Sequence, residues 1–199
     1  MSQYEVPIQI PPVDIVRQFY DMQEMSSDAV VLDAGCGSGR NSLFLAEAGY
    51  RMITMSNSVS ELRAIDQKAR DKQLAGSIAC VAGDVRHLPF DPVFDAVLIN
   101  EVLHFMTKNQ SSEALKTAQG LTVPGGFNII SGYVVKPGTA NLKNTANCLH
   151  PAELSTIYAQ SGWRIHTYSE QYHPNQYVGQ GRVKELISSR AKIIAQKLL

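Results

Sequence analysis

The sequence predicts an α/β fold built on a mostly parallel sheet, and three observations carry that prediction. Apolar strand-like runs alternate with helical patterns over most of the chain, the arrangement that favours right-handed crossovers. The run Val30-Val31-Leu32-Asp33-Ala34 enters a turn of alternating glycines, Gly35, Gly37 and Gly39, and a helical pattern opens directly after it. Phe94 to Asn100 is apolar enough for a strand at the centre of the sheet, covered on both faces.

The elements follow in order. Residues 1 to about 12 are extended and broken by proline, and Pro12 can open a helix at its first turn. Val13, Val16, Phe19 and Tyr20 then recur at helical spacing. After the first strand, Asn41 to Ala48 forms a helix that Gly49 caps. Arg51 to Met55 is the second strand. Ser58 with Glu61 makes a capping box, and Val59, Leu62, Ile65 and Ala69 form the buried stripe of a helix ending near Leu74. Ser77 to Ala82 is the third strand, closed by Gly83-Asp84-Val85, and Phe94 to Asn100 is the fourth. Ser111 to Leu121 reads as helix, and Pro124-Gly125-Gly126 turns the chain into a fifth strand from Phe127 to Val135. Lys136 to Leu149 has no strong period and reads as a loop. Pro151 opens a helix that Gly162 ends; Trp163 to Ser169 and Ala191 to Leu198 are the sixth and seventh strands, with a short helix at Val183 to Ser188 between them.

At 199 residues the chain fits one domain with a single sizeable core. Lys plus Arg equals Asp plus Glu, 18 of each, so no basic field points to nucleic acid or an anionic membrane. There is no apolar run of membrane-spanning length and no signal-peptide layout at the start. Three scattered cysteines suit neither a disulfide framework nor a zinc site, which implies a reducing, cytoplasmic setting and no metal. The cysteines read as structural: Cys36 is confined in the glycine turn and Cys80 sits mid-strand. Cys148, in a loop, is the only one that could react, and nothing near it in sequence would lower its pKa.

The glycine turn excludes one common cofactor. A dinucleotide fingerprint needs its third glycine at position 40, where Arg40 stands. The string LDAGCGSGRNS, with Asp33 two residues before the first glycine, instead resembles motif I of the class I S-adenosylmethionine (SAM) methyltransferases. With GCGSGRNSLFLAEAGY, FDAVLINEVLHF, PGGFNIISGY and the helix start HPAEL, the resemblance runs from about residue 11 to 165. Within that superfamily it is similar to the tellurite-resistance-like group, which methylates small heteroatom acceptors. The resemblance implies a Rossmann-like sheet of seven strands in the order 3-2-1-4-5-7-6, the last antiparallel, and SAM as cofactor. It also implies an N-terminal helix, within residues 1–28, lying over the cleft as part of a lid.

Ligands in open α/β sheets bind outside the carboxyl ends of the strands. That gathers Asp33, Gly35, Cys36, Gly37, Arg40, Asn41, Ser56, Asn57, Asp84, Val85, Asn100 and Glu101 around one cleft. The resemblance assigns Asp33 and the glycine loop to the cofactor's methionine and ribose, and Asp84 to the adenine amino group. Ser56 departs from the family, which carries Asp or Glu there to accept both ribose hydroxyls. A serine and Asn57 can bond a diol, but a charged acceptor is about twice as strong. Weaker binding, compensation from Asn57 or Ser58, or a changed ligand could each follow.

Methyl transfer from a sulfonium is an in-line displacement, so the protein's task is alignment and exclusion of water. A base helps where the acceptor carries a proton. His104, His150, His173 and Tyr133 are candidates, each with a structural role open to it as well. Tyr20 either faces the ligand or packs its helix against the body. Tyr20, Tyr133, Tyr172 and Tyr177 can also hold a sulfonium by cation–π attraction. The family pairs histidine with arginine in its last segment, whereas Tyr172-His173-Pro174 keeps at most the histidine, which bears against oxyanion substrates. The expected activity is methyl transfer to a small molecule by a monomer or homodimer. Two alternatives stay open: cyclisation of SAM itself with release of methylthioadenosine, and a non-catalytic SAM-binding partner subunit.

Overall fold

The computed structural model describes residues 11–91, 93–137, 147–172 and 189–199. Its strands are β1 (Val30–Ala34), β2 (Arg51–Ser56), β3 (Ile78–Ala82), β4 (Phe94–Asn100), β5 (Thr122–Tyr133), β6 (Trp163–Gln171) and β7 (Arg190–Lys197). They form one sheet in the order β3-β2-β1-β4-β5-β7-β6. The pairings from β3 to β5 are parallel, and β7 runs antiparallel between β5 and β6. This is the order that the resemblance implied.

The helices are α1 (Asp14–Asp21), α2 (Arg40–Glu47), α3 (Val59–Asp71), α4 (Lys108–Leu121) and α5 (Glu153–Ala159). They cover both faces of the sheet, and successive strand residues point to opposite sides. Val97 and Ile99 of β4, Ile130 of β5 and Ile193 of β7 pack with Ala114, Leu115 and Ala118 of α4 and Leu154 and Tyr158 of α5. Ala96 and Leu98, Phe127 and Ile129, and Ile194 pack on the other side with Ile15, Val16 and Phe19 of α1, Leu43 and Leu45 of α2, and Leu62 and Ile65 of α3. The near-continuous apolar run of β4 is the sequence mark of that two-sided burial.

Local chemistry explains the boundaries. Ser58 Oγ accepts from the Glu61 amide at the start of α3, and Thr107 forms a complete capping box with Gln110 at the start of α4. That box starts α4 three residues before the expected Ser111. The largest difference lies at β5. The expected turn at Pro124-Gly125-Gly126 is part of the strand, which begins at Thr122. The extra residues are taken up by a register shift against β4, where Phe94 faces Thr122 and Ala96 faces Phe127. Such a bulge lets a strand absorb Pro and Gly without losing its pairing. The expected helix over Val183–Ser188, His173, Tyr177 and most of the 136–149 loop lie outside the described residues. No helix of the described residues is long and apolar enough to cross a membrane.

Candidate functional site

The glycine turn joins β1 to α2 at the carboxyl edge of the sheet. Gly35, Gly37 and Gly39 all have positive φ, at 85°, 53° and 77°, and two of them also have no room for a side chain. A Cβ on Gly35 would lie 2.6 Å from Val102 Cγ2, and one on Gly39 would lie 2.5 Å from Ile65 Cγ1. A Cβ on Gly37 would meet nothing within 4 Å, because that residue faces open space. The Gly35 and Cys36 amides donate to the Met55 carbonyl at 2.9 and 3.0 Å, clamping the turn to the end of β2.

The open space is a cavity of about 430 Å³, within the range of small-molecule sites. Gly35 and Gly37 floor it; Ser56, Asn57, Glu61 and Asp84 supply polar groups; Val85, Val102, Phe105 and Met106 supply apolar walls. The ends of β1, β2, β3 and β4 therefore converge on one cleft, as the topology requires.

Of the residues singled out from the sequence, Gly35, Gly37, Ser56, Asn57, Asp84 and Val85 line this cavity. Ser56 is buried, and its hydroxyl accepts from the Ser58 amide at 3.0 Å and donates to Glu61 Oε2 at 2.7 Å. Asp84 is engaged by the Arg86 backbone amide and by its guanidinium, with Nε donating at 2.9 Å to both carboxylate oxygens. Those bonds hold the Asp84 carboxyl down at about 2.

Asp33 is placed differently. It is 1% exposed beneath the turn and accepts from Ser42 Oγ of α2 at 2.6 Å. Burial pushes its carboxyl up to about 6, against the pull of the Ser42 hydrogen bonds and the Arg40 charge. It fixes the junction of turn and helix from below and is not among the residues lining the cavity. Cys36 is buried in the turn, and its thiol is pushed up by burial and by the Asp33 and Glu61 charges. The Asn41 side chain accepts from the Val13 amide at 3.0 Å, tethering the N-terminal end of α1 to α2.

A second cavity, of about 320 Å³, includes Arg40, Glu101, Ser131, Arg190 and Lys192 in its lining, with Pro11 to Ile15 along one wall. Glu101, just past the end of β4, has a φ of 56°, a left-handed conformation that costs a non-glycine residue strain. Arg190 Nε donates to Glu101 Oε1 at 2.5 Å, and Arg40 Nη2 lies 3.7 Å from Oε2. Beside Glu101, Asn100 Oδ1 accepts from Ser131 Oγ at 3.0 Å. The Asn100 Nδ2 and His104 Nδ1 atoms are buried without a hydrogen-bond partner among the described residues.

His104 and Tyr133 come together, with ring centroids 4.4 Å apart, and the Arg190 guanidinium lies 5.0 Å from the Tyr133 ring. Burial lowers the His104 imidazole below its ordinary range, and the neighbouring Glu101 charge opposes that. Of the two roles open to Tyr20, packing is the one observed: its ring meets Phe44 edge-on at 5.3 Å, and it lines neither cavity. The Tyr172 hydroxyl donates to Glu170, which helps to push it up to about 12 after burial. Cys148 is buried and its thiol is raised by burial, in keeping with a structural cysteine. His173 lies outside the described residues.

Sequence pattern did not single out Glu61, Arg86, Phe105, Met106 or Arg190 for the site. Glu61 had a signal, since the third residue of a helix that follows a strand lies close to the end of that strand. Arg86, two residues beyond Asp84, had a weaker one. Arg190 had none, because 89 residues separate it from Glu101.

Comparison with known proteins adds a family and relatives to this geometry. Residues 31–126 match the model of a methyltransferase domain. The chain is 35% identical over 99 residues to the cypemycin N-terminal methyltransferase of a Streptomyces species, covering 48% of this chain and 38% of that protein. It is 26% identical over 110 residues to the probable SAM-dependent methyltransferase TehB of Haemophilus influenzae, covering 55% of this chain and 38% of that protein. These matches span about two fifths of the length of those curated relatives. Among solved structures, the Burkholderia thailandensis 1,6-didemethyltoxoflavin N1-methyltransferase, with bound 1,6-didemethyltoxoflavin and S-adenosylhomocysteine, superposes with a TM-score of 0.69 at 21% identity. That match covers 94% of this chain and 78% of the other, and it speaks for the fold.

Proposed function

We propose, from the match of residues 31–126 to the model of a methyltransferase domain and the likeness to SAM-dependent relatives, that this protein transfers a methyl group from SAM to a small-molecule heteroatom acceptor. The observation that carries the reading is the cavity over Gly35 and Gly37, where a position without a side chain faces open space beside a carboxylate, an amide and apolar walls. That lining suits an adenosyl group: apolar surface from Val85, Val102 and Met106 for a purine, and Asn57, Glu61 and Asp84 for its polar edge and sugar. When bound, SAM supplies an electrophilic methyl on a cationic sulfur.

The remaining work falls to the chain. The rigid turn, clamped to Met55 and propped by Asp33, holds one reactant in a fixed place, and fixed placement is the main lever for an in-line displacement. The Glu101–Arg40–Arg190 cluster and the His104–Tyr133 pair lie on the acceptor side of Val102 in this reading. His104, lowered by burial, is neutral at physiological pH and able to take a proton from an acceptor that carries one. Phe105, 77% exposed at the rim, offers a face to an apolar acceptor. Asp33 acts through the turn as a positioning residue. The three free cysteines suit the cytoplasmic setting inferred from composition.

Calorimetry with SAM and S-adenosylhomocysteine, followed by mass spectrometry of mixtures with candidate acceptors, tests this reading. Binding of both ligands, with S-adenosylhomocysteine formed only when an acceptor is present, is expected. No binding of either ligand overturns the proposal, and methylthioadenosine formed without an acceptor replaces it with cyclisation of SAM.

A further inference from the structure

The strand β2 ends at the main cavity without delivering an acid there; the helix that follows it does. Ser56 terminates β2, and both its acceptor and its donor function are in use, on the Ser58 amide and on Glu61 Oε2. Glu61 is thereby held at two points. Its backbone amide is capped by Ser58 Oγ at 3.3 Å, and its carboxylate is anchored by the Ser56 hydroxyl at 2.7 Å. Two acids line the cavity, Glu61 and Asp84. Asp84 has both oxygens engaged by Arg86. Among the described residues, Glu61 takes one side-chain donor, the Ser56 hydroxyl, on one of its oxygens. A carboxylate offers about four lone-pair sites, so Glu61 has acceptor capacity left for a ligand.

We propose that Glu61, braced by Ser56, accepts hydrogen bonds from vicinal hydroxyls of the bound ligand and makes the cavity selective for a ligand with an intact diol. The inference rests on the adenosyl reading of the cavity. It assigns Ser56 a supporting role, as the hydrogen-bonded strut that sets where the carboxylate stands. It also places the compensation for a missing strand-end acid at Glu61, not at Asn57 or Ser58.

The test is calorimetry on the intact protein and its Glu61→Gln and Ser56→Ala variants. The probes are S-adenosylhomocysteine and its 2′-deoxy and 3′-deoxy counterparts. Glu61→Gln keeps the size of the side chain and leaves the backbone cap in place, so an unchanged unfolding midpoint serves as the folding control. A hydrogen bond to a charged acceptor in a cavity open to water predicts that the unaltered protein loses roughly tenfold in affinity on removal of a hydroxyl. Glu61→Gln is expected to bind the parent ligand roughly tenfold more weakly and to distinguish the deoxy forms little. Ser56→Ala is expected to fall between, at about threefold.

A Glu61→Gln protein that binds within about twofold of the unaltered one and still discriminates overturns the inference while the adenosyl reading stands. A Ser56→Ala protein equal to the unaltered one overturns the bracing role. Absence of binding in the unaltered protein overturns the adenosyl reading and the inference with it.

Discussion

Asp33 and Asp84 are two acids at neighbouring strand ends, and their surroundings push them in opposite directions. Asp33 is buried, and its carboxyl stands at about 6 against an ordinary 3.8. The folded state therefore holds that proton more tightly than the unfolded chain does. Its contribution to stability is fully present below about pH 4 and is lost as pH rises through about 6. Asp33→Asn cannot ionise, so the unaltered protein should lose stability relative to this variant between about pH 4 and 7. Thermal unfolding of both proteins across that range checks the sign, and a constant difference would refute it. Asp84, drawn down to about 2 by Arg86, contributes in the opposite sense: its share is present above about pH 4 and is lost towards pH 2. That pair is partly exposed, so its worth is small.

At the scale of the element, the glycine turn separates folding from binding. Gly35→Ala meets both a positive φ and the Val102 side chain at 2.6 Å, so a loss of roughly 1–3 kcal/mol in stability is expected by denaturant unfolding. Gly37→Ala meets open space; only the strain of its φ, about 1 kcal/mol, should appear in unfolding. Its methyl group projects into the cavity, so calorimetry should show a larger loss of cofactor affinity than of stability. Equal losses in the two measurements would contradict the placement of Gly37 as the cavity floor. A buried chain of hydrogen bonds ties α5 and α4 to β5 in the same way. The Tyr158 hydroxyl donates to Asn128 Oδ1 at 2.8 Å, and Asn128 Nδ2 donates to Thr122 Oγ1 at 2.7 Å. Thr122 Oγ1 in turn donates to the Ala118 carbonyl at 2.8 Å. Tyr158→Phe leaves the Asn128 oxygen without that donor and should cost about 1–2 kcal/mol in an unfolding titration.

Over the whole molecule, the insertion of β7 between β5 and β6 decides what lines the second cavity. It pairs Arg190 with Tyr133 and Gln171 at the edge of the second cavity and delivers its guanidinium to Glu101. If that cluster serves the acceptor, Arg190→Gln should act on acceptor binding far more than on cofactor binding. A rise of roughly fivefold or more in the acceptor KM, with S-adenosylhomocysteine affinity within about threefold, is the expected split. Equal changes in both would place Arg190 on the cofactor side.

Within the described residues, most elements are legible in the sequence because each rests on local pattern, whereas the sheet order came only through the resemblance that the glycine-turn motif carries. Leu43 to Ala69 shows its helices in apolar spacing and a capping serine, and β4 shows its central place in a run of low polarity. The full box expected of Ser58 and Glu61 does not form, because Ser56 takes both the Ser58 amide and the Glu61 carboxylate. The glycine turn is legible for the same reason: positive φ and close approach leave a mark in residue type. Pro124-Gly125-Gly126 misleads as a turn because a register shift between neighbouring strands, a property of the pairing, lets the strand carry it.

What the sequence determined by itself was the alternation of elements, the cleft over Gly35 and Gly37, and the group of strand ends that meet there. Tertiary structure alone decided that Ser56 spends its hydroxyl on Glu61, that Asp84 is engaged by Arg86, and that Arg190 reaches Glu101. Local pattern follows from the backbone's few allowed conformations and from the need to bury apolar side chains. The direction of a polar side chain follows from whichever partner the packed sheet and helices bring within about 3 Å, and neighbours along the chain do not encode that.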